Sequence, residues 1–582
     1  MGGLFLARTD SGPSCEQAFA AAQAQGARAG LTAPTRHSFP GWSLLHFEPP
    51  SGGAGGLLVA GDDLVAVAGT LVFDGRLGAP ALAALLRETQ LPALDWSRIG
   101  GEFVALVRKN GRAFLFGDFF GAFQLFHDLD NRIFSTSLLA ALQALPSVRF
   151  DAQGVYEHAF NVVPIGDDTV FAELKTLGPK WVLELTRDGV TRHATAKPLP
   201  HAPSRARPPD RLAEHAERLR ATVAPYVAAY GDRIHCPLSG GIDSRLLFAG
   251  LRAAGSTPSV YVYGPEGSAD VRIAQAIGRA EGFAVDWIDK SAAPMTPEAF
   301  PAQVEANFHQ FDGLPTYGNI FDNGGHAAAQ LRRHADGDLA ASGGCGEVYR
   351  DFFLLPDRRL TARTIARSFF ARFTPGDATP GFDGRAFLDR IADKIADALD
   401  LPDARTSMSR THAEQAYPRV RCRALFGREI SLEAQHGAYL MPFLDHQLVS
   451  AALTLPMAAK HAGAFEARLL AAIDPVLAGY PSAYGHDFAG PPSLRHRFDE
   501  WSSRIRPAWV RQHSYAVQRR LRPLGDEHGG LLSPDYMHRV IDPAFPAMQR
   551  YFDMERITDS GLWRRIACLE YLAGWLGSRL AT

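Results

Sequence analysis

The sequence has no CxxC pair, and its five cysteines (Cys15, Cys236, Cys345, Cys422 and Cys568) are odd in number and widely scattered. That argues against a zinc site and a disulfide framework, and it suits a reducing cytoplasm. No apolar run approaches the ~20 residues needed to span a bilayer. The start, MGGLFLARTD, lacks the basic head, long apolar stretch and small-residue cleavage site of a secretory signal, so export is not expected. One-sided charge is missing too: the formal net charge is -2, which supplies no overall field for nucleic acid or an anionic membrane. No fixed-period repeat of the solenoid kind is visible.

What is present is a soluble, globular composition, with 46% hydrophobic and 21% charged residues over 582 positions. That length calls for two or more domains. Short strand patterns at 57–60, 64–68, 103–108, 113–117 and 181–185, with a helix at 80–87 between them, predict an α+β domain over residues 1–197. Residues 197–210, KPLPHAPSRARPPD, contain five prolines and no apolar periodicity, so 198–210 reads as a stiff, exposed linker. Beyond it, 211–582 opens with an amphipathic helix at 211–230. Strands at 233–238, 260–263, 284–288 and 339–341 then alternate with helices at 245–254 and 271–281, as in a doubly wound α/β sheet. From about Asp357 the pattern is mainly helical.

Between the strand at 233–238 and its helix stand Ser239, Gly240, Gly241, Ile242, Asp243 and Ser244. Free backbone N–H groups and a helix dipole favour an anion at such a place, and small residues let a phosphate approach. The loop lacks the Walker GxxxxGK[ST] spacing and its lysine, which argues against γ-phosphate transfer. SGG followed by xDS is instead the pattern of enzymes that cleave ATP between the α and β phosphates.

With that loop the chain resembles the asparagine synthetase superfamily. SGGIDSRLLFAGL, SGGCGEVYR at 342–350 and MPFLDHQLV at 441–449 are similar to three of its blocks. AGTLVFDGR at 68–76, GGEFVALV at 100–107 and GDFFGAFQLFH at 117–127 follow the order of its glutaminase domain, an Ntn-type sandwich. The resemblance implies ATP and Mg²⁺ as cofactors and a carbon–nitrogen ligase that adenylates a carboxylate. Asp243 and Glu347 are then the magnesium candidates, although the family's usual residue at the second place is Asp. Ser239, Gly240, Gly241, Asp243 and Ser244 would grip pyrophosphate; Leu238, Tyr263 and Gly264 would enclose adenine. Asp270 reads first as a helix N-cap and second as a contact to ATP or substrate, and Arg350 as a substrate contact or a partner of Asp351.

Departures from the family narrow the reading. Glutamine-using members expose a cysteine nucleophile where this sequence has Gly2, and glycine cannot attack an amide carbon. A silent glutaminase-like domain and an amine from the substrate itself are expected. The GGCGEVYRDFFLLPD block looks closest to lasso peptide macrolactam synthetases. For these the substrate is a precursor peptide whose N-terminal amine closes a ring on an Asp or Glu side chain. The family's general base has no clear counterpart; His486 and Lys460 are the stand-ins. Eight arginines from Arg495 to Arg522, with Trp501 and Trp509 among them, read as a solvated helical face or as a docking surface for a leader peptide, a leader peptidase or a leader-binding partner. The alternatives are an ammonia-dependent asparagine synthetase, a β-lactam-type synthetase on a small substrate, and a pseudoenzyme scaffold that binds ATP or peptide.

Overall fold

The structure is a computed structural model that describes residues 2–9, 13–52, 55–291, 293–521 and 530–581. Its first part is built on two antiparallel six-stranded sheets. One centres on Gly3–Arg8, between Ile133–Ser135 and Trp42–Phe47; the other centres on Arg112–Gly117 and Phe103–Lys109. The segment Phe103–Val107 is buried along its whole length, so it reads as a continuous apolar run rather than an alternating one. Such a strand needs cover on both faces. One sheet packs on the other, helices Pro13–Arg28 and Leu138–Ala144 lie against the first, and Gly78–Glu88 lies against the second.

The second part is a five-stranded, all-parallel sheet: β1 (Ile234–Pro237), β2 (Ser259–Tyr263), β3 (Val285–Ile288), β4 (Leu339–Ala341) and β5 (Tyr439–Leu440), in spatial order β3-β2-β1-β4-β5. Helix α1 (Leu212–Tyr230) precedes it, and α2 (Ile242–Ala253) and α3 (Ala269–Glu281) make the first two crossovers. The order reverses between β1 and β4, which is where open parallel sheets bind ligands. Helices dominate after residue 357. Among the described residues no helix is long and apolar enough to cross a membrane.

The proline-rich segment is largely exposed, at 198, 201–203, 205–207 and 210, and it is also docked onto the second part. Leu199 is buried, and backbone carbonyls of Lys197, Pro200 and His201 accept hydrogen bonds from Arg419, Gln415 and Ser409. Proline removes donors but leaves every carbonyl free to accept, so the segment docks through its oxygens. Ion pairs also join the two parts: Lys394 to Glu157 (2.6 Å) and Asp168 (2.8 Å), and Arg423 to Asp167 (2.6 Å).

Burial holds His158 neutral, with its pKa lowered to about 3. A folded value below the unfolded ~6.5 means stability that is present above pH 6.5 and lost as pH falls toward 3. Relative to wild type, His158→Gln is therefore expected to gain about 3 kcal/mol between pH 6.5 and pH 4. Urea midpoints at the two pH values measure this, and parallel curves would contradict it.

Candidate functional site

Beyond Pro237 the chain leaves β1. The Leu238 amide still donates to the Tyr261 carbonyl (2.9 Å), and its side chain is core, 1% exposed. The next residues turn on their own hydroxyls. Ser239 Oγ accepts from Gly241 N (3.1 Å), Ser244 Oγ accepts from Ser239 N (3.1 Å), and the two oxygens lie 2.9 Å apart. Helix α2 starts at Ile242, three residues before the sequence pattern placed it, so Asp243 and Ser244 stand in its first turn.

Gly240 N donates to Asp270 Oδ1 (2.8 Å). Asp270 is therefore not the N-cap of α3, which is Ser268; its carboxylate occupies the anion-binding face of the loop. A Cβ on Gly240 would fall 2.8 Å from Ala483 Cβ, because residues 480–488 cross directly over the loop. Arg245, wholly buried in α2, holds that crossing by donating to the carbonyls of Tyr480 (2.9 Å) and Pro481.

The second glycine-rich loop follows β4, on the other side of the switch point. Cys345 takes a left-handed φ of 67°, after which Gly346–Tyr349 forms a 3₁₀ turn carrying Glu347. The loops are in contact: a Cβ on Gly346 would fall 2.1 Å from Asp243 Oδ1. Arg350 lies between the acids, donating to both Asp243 oxygens (2.8 and 2.6 Å), with Glu466 at 3.3 Å and Glu347 at 3.6 Å. Burial works against its charge, but Asp243, Glu466 and Glu347 together hold the guanidinium pKa well above its usual value. Asp351, by contrast, pairs with Arg410 (2.7 Å), so the expected Arg350–Asp351 pair does not form.

Glu466 escaped the sequence reading. It sits wholly buried in α4 (Ala464–Ile473), and burial and then Asp243 push its carboxyl far above the usual range. An acid flanked by Phe465, Leu469 and Leu470 on the buried face of a helix was the available signal. Tyr417 was missed as well; its hydroxyl donates to Glu347 (2.5 Å).

A cavity of about 400 Å³ opens beside these loops, lined in part by Ile242, Glu347, Arg350, Tyr484, His486 and His496. His486 thus faces the site, with Nδ1 3.2 Å from the Tyr484 carbonyl. Lys460 does not line it. Its ammonium is buried, bonded to the Val348 carbonyl (2.8 Å) and near Glu414, and burial lowers its pKa. Tyr263 ends β2 and Gly264 follows it, with Lys290 Nζ 3.5 Å over the Tyr263 ring. Helix α5 (Leu494–Ile505) borders the cavity through His496, Asp499, Glu500 and Ser503. Its outward face mixes exposed Leu494, Phe498, Trp501 and Ile505 with exposed Arg495, Arg497 and Asp499, while Arg511, on the following helix, turns inward to the Phe353 carbonyl (2.9 Å). The arginine-rich stretch is therefore not a uniformly basic face; Arg522 lies outside the described residues.

The residues fit a magnesium ion only in company. Asp243 and Glu347 are two carboxylates on adjacent loops, and among the described residues no group of three or more His, Cys, Asp or Glu could hold a metal alone. Magnesium is commonly bound by one or two carboxylates with substrate phosphates and waters completing the octahedron.

No protein-family model matches the chain, and no curated protein does. Solved structures similar to it include the glutamine phosphoribosylpyrophosphate amidotransferase from B. subtilis complexed with ADP and GMP, at 11% identity and TM-score 0.23, over 49% of this chain and 90% of that one. Another is the allosteric regulatory enzyme of purine biosynthesis, at 10% identity and TM-score 0.24, over 50% of this chain and 74% of that one. Likeness of this degree says nothing about activity.

Proposed function

We propose that the chain is an ATP-dependent amide ligase of the asparagine synthetase superfamily, in which an Asp or Glu side chain of a precursor peptide is joined to that peptide's N-terminal amine. The observation that carries the reading is the meeting of SGGIDS and SGGCGE at the switch point, with Asp243, Glu347 and Arg350 beside an open cavity. In the proposed reaction a carboxylate oxygen bonds to the α-phosphorus as the α–β bond breaks and pyrophosphate leaves. The amine then attacks the acyl carbon and AMP departs. Ser239, Ser244 and the loop N–H groups would bind phosphate oxygens, trading the contacts they now make with one another and with Asp270. Asp243 and Glu347 would hold magnesium, which supplies charge neutralisation at phosphate oxygens. Holding both reacting ends of one peptide offsets association entropy.

A silent, Ntn-type N-terminal domain is part of the proposal. Gly2 has a φ of 64°, and a Cβ there would fall 1.8 Å from the Phe47 carbonyl oxygen, so this backbone has no room for a nucleophilic side chain.

Incubation with ATP, Mg²⁺ and a candidate precursor peptide that carries a free N-terminal amine and an internal Asp or Glu is expected to release pyrophosphate and yield a peptide lighter by one water. Asparagine made from aspartate and ammonia would sink the peptide reading, and absence of any pyrophosphate release would leave only a binding scaffold. Gly346→Ala drives Asp243 off its position, and a misplacement of ~1 Å can cost about 100-fold in rate. That loss is expected in the same assay, with a fold that survives by far-UV circular dichroism.

A further inference from the structure

A second cleft, of about 450 Å³, lies between the N-terminal sandwich and α1. Its walls are the Gly100–Glu102 turn, the α1 stretch from Glu217 to Tyr226, and Met441, Pro442 and Asp445 beyond β5. Most of its charges are already matched. Arg98 is bonded to Asp74 and Glu88, Arg218 to Glu214 (3.1 Å), and Glu217 to Arg220 (2.5 Å).

Three groups are left over. Glu102 is 5% exposed and has no cationic partner among the described residues. Tyr226 is 3% exposed and borders the cleft, and among the described residues its hydroxyl has no hydrogen-bond partner. Asp445 caps the helix His446–Leu453 through one oxygen, at 3.0 Å from Gln447 N and 3.1 Å from Leu448 N. Its other oxygen faces Gly100, where a Cβ would stand 3.5 Å away. Asp118, also close to Glu102, is already satisfied by the amides of Phe120, Ala122 and Phe123. Burial, and then Asp118 and Asp445, push the Glu102 carboxyl well above its usual range. A buried acid among like charges is stabilised by an incoming cation.

We propose that this cleft binds an organic cation with a primary ammonium or guanidinium group, held by Glu102, Asp445 and the Tyr226 hydroxyl. The volume lies in the range of about 300–1,000 Å³ typical of small-molecule sites, far larger than an ammonium ion needs. The donor set falls short of a metal site, since no group of three or more metal-binding side chains exists among the described residues. The inference is independent of the ligase reading, because binding here needs no ATP.

The test is calorimetric titration of the full chain with agmatine and with cadaverine, using 1-pentanol as a neutral control. Saturable binding of at least one amine is expected, with none for the alcohol. Glu102→Gln should weaken it about 10-fold or more and Tyr226→Phe about 3- to 10-fold. Repeating the titration in two buffers of different ionisation heat near pH 7 should show proton release, because the cation ionises Glu102 among Asp118, Asp445 and Tyr226. Thermal melts confirm that each variant folds; if Glu102→Gln does not, Tyr226→Phe carries the comparison. No amine binding at millimolar concentration, unchanged affinity in folded variants, or saturation by Mg²⁺ or Ca²⁺ in place of the amines would overturn the proposal.

Discussion

Asp243→Ala is expected to lower pyrophosphate release about 100- to 1,000-fold, the scale of losing one preorganised electrostatic contact to a reacting phosphate. The prediction rests on position. Asp243 stands in the first turn of α2, touches the second glycine-rich loop, and is the acid to which Arg350 is doubly bonded. Removing it would leave Arg350 facing only Glu347 and Glu466, and would take from the first turn of α2 the carboxylate that meets the second glycine-rich loop. Arg350→Met should be damaging for the opposite reason, since Asp243 and Glu347 would lose the cation between them. The two variants separate by their magnesium response: raising Mg²⁺ is expected to recover part of the Arg350→Met loss and none of the Asp243→Ala loss. A wild-type rate in Asp243→Ala would remove the chemistry from this loop altogether.

The largest expected stability effect lies elsewhere. Arg428→Met is expected to cost about 3–5 kcal/mol, the range for breaking a buried ion pair from one side. Arg428 is 3% exposed and donates to the Asp312 carboxylate (3.2 Å) and to the carbonyls of Phe311 (3.2 Å), Asp312 (2.6 Å) and Leu314 (3.1 Å). Asp312 in turn accepts from Leu138 N (2.6 Å), Leu139 N (3.0 Å) and Ser137 Oγ (2.6 Å) at the start of the helix Leu138–Ala144. One side chain therefore supports a loop of the second part and a helix of the first. Urea unfolding measures the change; a loss under about 1 kcal/mol, as for an exposed pair, would mean that water reaches the gap.

Much of the parallel sheet was legible because its strands are short apolar runs bounded by glycines, and the loop at Ser239 lies where strand gives way to helix. Gly231, Gly255 and Gly282 each stand beyond a helix end with positive φ, the conformation that glycine adopts without penalty. What stayed hidden was non-local. Nothing near Glu466 in the chain announces Arg350, 116 positions away, and the dipeptide Arg350–Asp351 looks like a pair although the side chains find Asp243 and Arg410 instead. Lys460 carries a charge that suggests solvent or catalysis, yet the structure sets it on the Val348 carbonyl. The proline content of 197–210 says nothing of the side chains that bind its carbonyls.

The ion pairs across the two parts have a bearing on how the gene could be shortened. Lys394 is 7% exposed and its acids, Glu157 and Asp168, belong to the sandwich. A truncation that begins at α1 would strip this buried ammonium of both counter-charges and bare the helix face that now covers them. Such a fragment is expected to aggregate instead of folding on its own. The sandwich can thus be retained as a folding partner, its sequence constrained by the charges it neutralises in its neighbour.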